Sequence, residues 1–272
     1  MPIFKIEAEN GENCFSGVVS FIITEKSSEQ LMAFSKNMIS DYERRVFSSF
    51  DNEERKKSYL MGRISAKSAV GEFENELDPK SVSIVNDVFG KPLIVGADKY
   101  NVSISHTESL GAAAVFDLRF PVCLGVEKFD PRNMEMEKSM LTFREKMMLD
   151  FSSFINEQDV ILTVLWTAKE ALGKLLGTGL KAEKDVLEIS EVIENDGCFT
   201  CKFSNFSQFK SFSWRSSGYV CTLIYSEEYN IEITESGENN YDLKEYCSYL
   251  LSSQDKSIAS GQPIYHNLYS MM

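Results

Sequence analysis

The stretch Trp166-Thr167-Ala168-Lys169-Glu170-Ala171-Leu172-Gly173-Lys174-Leu175-Leu176-Gly177-Thr178-Gly179-Leu180 decides how the rest of the chain is read. At 3.6 residues per turn, Ile161, Leu165, Ala168, Leu172 and Leu176 form one apolar stripe. Trp166, Glu170, Lys174 and Gly177 fall on the opposite side, flanked by Lys169 and Gly173. An ordinary wet helix face is a mixture of Glu, Lys and Ser. This one carries an indole, a carboxylate, two ammonium groups and two glycines that let a partner come close. Gly177 and Gly179 then stop the helix.

Upstream of this helix the pattern alternates between strands and helices. Residues 13–24 read as one or two strands and 27–46 as a helix. A second helix runs over 51–77, opened by an Asp51/Glu54 capping box and ended by Asp78-Pro79. Segments 82–85, 101–105, 111–116 and 122–129 read as strands, with a Phe89-Gly90-Lys91-Pro92 turn among them. Helices follow over 134–155 and 157–176, and strands over 199–203, 211–214 and 219–225. The expected class is therefore α+β, with two halves that each carry long helices and a few strands. The division falls at 1–121, 122–230 and a polar C-terminal tail, 231–272. No sequence repeat is visible between the halves. Within the tail, the Asp242/Glu245 capping box and the Leu243, Tyr246, Cys247, Leu250, Leu251 stripe predict one docking helix.

Composition narrows the function. The chain has 272 residues, is 43% hydrophobic, and has a formal net charge of −13. That length supports a real core, and that charge argues against general nucleic-acid binding. A local basic cluster nevertheless exists: Arg44-Arg45, Arg55-Lys56-Lys57, Arg63 and Lys67. No apolar run is long enough to span a bilayer, and the first residues lack a basic region followed by an apolar one. The six cysteines (14, 123, 198, 201, 221, 247) are scattered. Cys198-Phe199-Thr200-Cys201 is a lone C-x-x-C in a strand-like run, with two histidines in the whole chain, so neither zinc nor redox chemistry is expected there. These features point to a reduced, cytoplasmic protein without a membrane segment. Gly173-Lys174 is no P-loop, because Ala168 and Leu175 replace the glycine and the hydroxyl that such a loop needs.

Four segments carry candidate chemistry, in this order: Phe89-Gly90-Lys91-Pro92; Asn101-Val102-Ser103-Ile104-Ser105-His106-Thr107; Leu124-Gly125-Val126-Glu127-Lys128; and the helix quoted above. Together they resemble the 4′-phosphopantetheinyl transferases of the Sfp type, which implies two pseudo-symmetric subdomains, each with long helices packed on a small antiparallel sheet. Tyr59-Leu60-Met61-Gly62-Arg63 and Leu141-Thr142-x-x-Glu145 also look like segments of that family, and the resemblance covers about residues 40 to 225. The family moves the phosphopantetheine arm of coenzyme A onto a serine of a carrier protein, and 3′,5′-ADP leaves. The resemblance implies Glu170, Lys174 and Glu127 as catalytic residues, with Glu127 and Glu170 as ligands of Mg2+ and Glu170 also as base. It implies coenzyme A contacts from Lys91, Pro92, Ser105, His106, Thr107, Lys169 and Lys174. The 3′-phosphate falls to Arg63 or to the Arg55–Lys57 cluster. An apo carrier protein (acyl, peptidyl or aryl) is the implied partner and a monomer the implied state. The family strand carries a second acid where this chain has Phe129, so two protein carboxylates are expected, with water or another side chain in the third place. The rival expectation is a non-catalytic module that binds coenzyme A or a carrier.

Overall fold

Two antiparallel sheets lie face to face, and one long helix covers the outer face of each. The computed structural model describes residues 3–74, 77–151, 158–216 and 218–236. The first half contains β1 (Ile3–Glu9), β2 (Cys14–Ile23), α1 (Ser28–Phe34), α2 (Asp41–Ser48), α3 (Glu53–Phe73), β3 (Ser83–Asn86), β4 (Pro92–Val95), β5 (Tyr100–His106) and β6 (Leu110–Asp117). The second contains β7 (Cys123–Lys128), α4 (Met134–Ser139), α5 (Phe143–Phe151), α6 (Gln158–Leu175), β8 (Ile189–Asn195), β9 (Cys198–Phe203), β10 (Phe209–Ser216) and β11 (Tyr219–Ser226). The last strand, β12 (Asn230–Glu235), pairs antiparallel with β1. Strand orders are β12-β1-β2-β6-β5 and β7-β11-β10-β9-β8, with β3 and β4 forming a separate hairpin.

Strand alternation builds the layers. On β6, Ala112, Ala114 and Phe116 face the space between the sheets, while Ala113 and Val115 face α3. On β11, Cys221, Leu223 and Tyr225 face between the sheets, and Val220 and Ile224 face α6. The expected apolar stripe of α6 is buried through Ile161, Leu165, Ala168 and Leu172, with Leu176 packed against it. Cys198 lies in the inter-sheet core and Cys201 in the core under α6, on opposite faces of β9, so the C-x-x-C pair does not converge. Among the described residues, no helix is long and apolar enough to cross a membrane.

Several expected boundaries move. The helix read over 27–46 is two helices, because Ser40 makes its own capping box with Glu43 and starts α2 afresh. The helix read over 134–155 is likewise α4 and α5, broken before Thr142. The cap of α3 is Asn52, whose side chain accepts the Arg55 N–H, rather than Asp51. Residue 231, expected to begin a tail, lies inside β12, which returns to the first sheet. The predicted helix near 243–251 lies outside the described residues.

A repeat that the sequence hides emerges from the packing. In the first half, Glu43 closes the capping box with Ser40, accepts the Ile84 N–H at 3.0 Å, and pairs with Lys67 at 2.7 Å. In the second, Glu145 closes the capping box with Thr142, accepts the Ile189 N–H at 2.7 Å, and pairs with Lys169 at 2.7 Å. Both lysines also donate to the carbonyl two residues before the capping hydroxyl, Met38 or Met140. All four charged side chains are fully buried. The long helix of each half is thus pinned to its helix–strand connection by the same lock. Outside these residues no repeat is visible in the sequence.

Candidate active site

The site forms where the first half's β5 meets β7 and α6 of the second. The Ser103 and Ser105 hydroxyls of β5 accept the backbone N–H groups of Leu124 (2.9 Å) and Val126 (3.1 Å). These bonds satisfy the edge of β7 that does not pair with β11 and fasten the two halves together. Ser105 Oγ also accepts from Lys174 Nζ at 2.8 Å, and Lys174 pairs with Glu170 at 2.9 Å. Ser105 is therefore a junction: one hydroxyl holds the edge of β7 and the ammonium group of α6.

Gly125 sets the approach of α6 to β7. A Cβ at that position would lie 3.0 Å from the Thr167 carbonyl oxygen, 3.4 Å from Ala171 Cβ and 3.6 Å from Glu170 Oε2. Alternation along β7 puts Glu127 on the same face as Gly125, so both carboxylates look into one space. Burial, then the nearby charge of Glu170, push the Glu127 carboxyl above its ordinary pKa. The Lys128 backbone N–H, the Trp166 indole N–H and Lys174 work in the opposite direction. Glu170 Oε2 is buried and has no hydrogen-bond partner among the described residues.

The remaining expected residues sort into three groups. His106, at the end of β5, presents an exposed edge, and its charged form is disfavoured by desolvation, then by Lys174 and Arg55, with Glu170 opposing. His106, Arg55, Lys174 and Glu170 thus share one space. Lys91 joins it, since Lys91 and Lys174 both act on the Cys123 thiol, whose pKa burial raises. The second group is architectural. Pro92 opens β4 opposite Asn86, and Thr107 closes the β5–β6 turn by accepting the Leu110 N–H at 3.2 Å. Arg63 is buried, stacks over the Tyr59 ring at 4.2 Å and donates to Asn86 Oδ1 at 2.7 Å. Asn86 in turn donates to the Gly90 carbonyl, so Arg63 braces the hairpin that carries Lys91.

Lys169 is a correction. It is expected among the coenzyme A contacts but is fully buried, with Nζ on Glu145, the Met140 carbonyl (3.0 Å) and the Lys184 carbonyl (3.3 Å). One residue before Glu170 on a helix is a turn of about 100°, enough to send it under α6 rather than into the cleft.

Two residues escape the sequence reading. Asp87 accepts the N–H groups of Phe89 and Lys91, each at 2.8 Å, and shapes the loop in which Gly90 has φ +87°. The Asn-Asp pair before Val-Phe-Gly is a turn signal that points to it. The other is Glu137, a buried acid of α4 whose carboxylate meets the Thr163 hydroxyl of α6.

Glu127 and Glu170 fit a hard divalent cation: two facing carboxylates, one with a buried orphaned oxygen and the other disfavoured as an anion by its neighbour. The third place is not filled from β7. The Phe129 N–H donates to the Gly218 carbonyl and continues the strand. Asp130 caps the next turn and pairs with Arg132, which holds its pKa down to about 2. Among the described residues, no cluster of three His, Cys, Asp or Glu has metal-binding geometry.

Comparison with known proteins bears on the family of the chain. A family model described as the 4′-phosphopantetheinyl transferase superfamily matches residues 126–233, which include Glu127, Glu170 and Lys174. The chain is similar to the L-aminoadipate-semialdehyde dehydrogenase-phosphopantetheinyl transferase of Candida glabrata, 21% identical over 164 residues, or 57% of this chain. It spans 62% of that relative's length. It is also similar to the holo-[acyl-carrier-protein] synthase of Staphylococcus saprophyticus, 39% identical over 79 residues, covering 27% of this chain and 68% of that protein. Among solved structures, the holo-(acyl-carrier-protein) synthase of Bacillus anthracis in complex with CoA (3′,5′-ADP) is 21% identical with a TM-score of 0.33, over 43% of this chain and 97% of that one. The holo-[acyl-carrier-protein] synthase of Thermotoga maritima is 21% identical with a TM-score of 0.29, over 43% and 72%. With the 39% identity to the staphylococcal synthase, the chain belongs to the 4′-phosphopantetheinyl transferase superfamily.

Proposed function

We propose that this protein transfers the 4′-phosphopantetheine arm of coenzyme A to a serine hydroxyl of an apo carrier protein, releasing 3′,5′-ADP, as an Sfp-type enzyme that acts as a monomer. The observation that carries the reading is the Glu127–Glu170–Lys174 cluster at the joint of the two halves. Both walls of that joint come from one chain, which supports the monomer.

The reaction is attack on the pyrophosphate phosphorus that bears the pantetheine arm. It asks for charge neutralisation and in-line positioning rather than a covalent intermediate. Glu127 and Glu170 would hold Mg2+, which when bound neutralises pyrophosphate charge. Lys174, fixed by Ser105 and Glu170, offers an ammonium group toward the leaving phosphate. Its two anchors limit the side-chain freedom that binding would otherwise have to remove. Glu170 accepts the serine proton, directly or through one water, at the oxygen that has no partner. Lys91, Arg55 and His106 supply the positive wall for the nucleotide phosphates. His106 is held largely neutral at pH 7 by its surroundings and serves there as a hydrogen-bond donor.

The test is transfer from a fluorescently labelled coenzyme A to an apo carrier protein, read by in-gel fluorescence. Label on the carrier with Mg2+, and none with chelator or with Glu127→Gln, supports the reading. Coenzyme A binding without transfer under every condition would favour a binding module instead, with Phe129 as the cause.

A further inference from the structure

Glu137 is a buried acid that the proposed chemistry does not use. It lies on α4 and is 1% exposed. Its carboxylate meets the Thr163 hydroxyl of α6, at 3.2 Å from Oε2 and 3.5 Å from Oε1. The same hydroxyl lies 3.2 Å from the Asp159 carbonyl oxygen. A hydroxyl has one hydrogen to donate. It can serve Glu137 or the carbonyl, but not both. With a proton on Glu137 both bonds form: the carboxylic acid donates to Thr163 Oγ1, and the hydroxyl donates to Asp159. With Glu137 ionised, that one hydroxyl is the only donor its buried carboxylate has among the described residues, while the Asp159 carbonyl keeps the helical N–H of Thr163.

The charges around Glu137 agree with the hydrogen-bond count. Those that act on it are Glu127 of β7 and Asp159 of α6, both negative. On its own helix, Glu135 and Lys138 pair with each other at the surface. In the turn before α4, Asp130 and Arg132 do the same. Burial, supported by Glu127 and Asp159, raises its pKa to about 7. Thr163 is also on the face of α6 that carries Glu170 two turns later, so Glu137 touches the helix that presents the second carboxylate.

Resting on the reading of Glu127 and Glu170 as cation ligands, we infer that Glu137 is a positioning acid for that site. Protonated and bonded to Thr163 in the free protein, it gives its proton to solvent as a divalent cation docks between Glu127 and Glu170. It thereby restores, from α4, the third negative charge that Phe129 removes from β7. Thr163 then turns its hydrogen to the new carboxylate. No covalent bond changes, and the one proton leaves to water.

Mn2+ binding to the full chain, measured by titration calorimetry at pH 6 and pH 8, tests this in the wild type and in Glu137→Gln. Glutamine keeps the size and can still bond Thr163, but never ionises. The wild type should gain about fivefold more affinity between the two pH values than the variant, the part of a tenfold, one-pKa-unit coupling that falls between them. The same gain in both proteins overturns the inference and leaves the cation reading standing. A wild type that binds no Mn2+ at either pH overturns both. Should the variant fail to fold, the Glu137 carboxyl carbon resonance of the wild type decides: Mg2+ at pH 6 should move it from the acid position toward the carboxylate position. No movement refutes the role.

Discussion

Replacing Lys169 with methionine separates the buried lock from the cleft. Methionine fits the space of the lysine stem but removes the charge. Glu145 would then stay buried with only the N–H groups of Thr142 and Ile189 as donors. The Met140 and Lys184 carbonyls would each lose a donor as well. Breaking a buried pair from one side costs about 3–5 kcal/mol, most of it the uncompensated charge. Adding Glu145→Gln removes that charge, so the double variant should recover part of the loss and sit about 1–2 kcal/mol below the wild type, the price of unmade hydrogen bonds. Lys67→Met should behave as Lys169→Met does, since Glu43 and Lys67 form the same lock in the first half. Urea unfolding followed by tryptophan fluorescence reads all four proteins, because Trp214 lies in the inter-sheet core and Trp166 on α6. Coenzyme A affinity of the folded Lys169→Met protein should stay within about twofold of wild type, as Lys169 points away from the cleft. A variant that unfolds at the wild-type midpoint but loses about tenfold in coenzyme A affinity would refute the reasoning and return Lys169 to the ligand site.

Other outcomes follow from particular contacts. Ser105→Ala leaves the buried Val126 N–H without an acceptor and frees Lys174, so it should cost about 1–3 kcal/mol in urea unfolding and raise the KM for coenzyme A; unchanged stability would contradict the junction role. Gly173→Ala would place a Cβ 2.3 Å from the Gly179 carbonyl oxygen and 2.7 Å from its carbon. Both are backbone atoms with little room to yield, so the substitution should cost about 1–3 kcal/mol and shift Lys174, and a neutral result in thermal unfolding would argue against the tight turn. For Glu137, the folded-state pKa of about 7 lies above the ordinary glutamate value of 4.5. Between those values the unfolded chain loses the proton and the folded one keeps it, so stability falls as pH rises through that window and is lowest above pH 7. Glu137→Gln has no such term and should gain up to about 3 kcal/mol on the wild type between pH 5 and pH 8; parallel curves would contradict a buried acid with a raised pKa.

Periodicity made much of this architecture legible. The stripe from Ile161 to Leu172 is the buried face of α6, because a helix that covers a sheet must present one continuous apolar side. Strand alternation placed Glu127 opposite Glu170 through Gly125. What periodicity does not reveal is which side of a helix an isolated charge takes. Lys169 and Glu170 are neighbours in sequence, yet one is locked in the core and the other lines the cleft. The twin locks are spelled in the chain as Ser40-x-x-Glu43 and Thr142-x-x-Glu145, each followed 24 residues after the glutamate by Lys67 or Lys169. Four polar residues among unlike neighbours are too sparse a signal to read as a repeat. The same capping boxes divided two stretches that the apolar pattern had joined. Strand β12 escaped because its residues read as a polar tail; its partner, β1, lies at the other end of the chain. Glu137 was invisible for a related reason: in Met134-Glu135-Met136-Glu137 nothing distinguishes the exposed glutamate from the buried one.

Glu127, Glu170 and Lys174 are proposed to form a phosphopantetheinyl transfer site. Intact-mass spectrometry of an apo carrier protein after incubation with this protein, coenzyme A and Mg2+ tests it most directly. The carrier should gain the mass of one phosphopantetheine, with 3′,5′-ADP released in equal amount, and should gain nothing with Glu170→Ala. An unchanged carrier mass across acyl, peptidyl and aryl carriers, or an equal gain with Glu170→Ala, would contradict it.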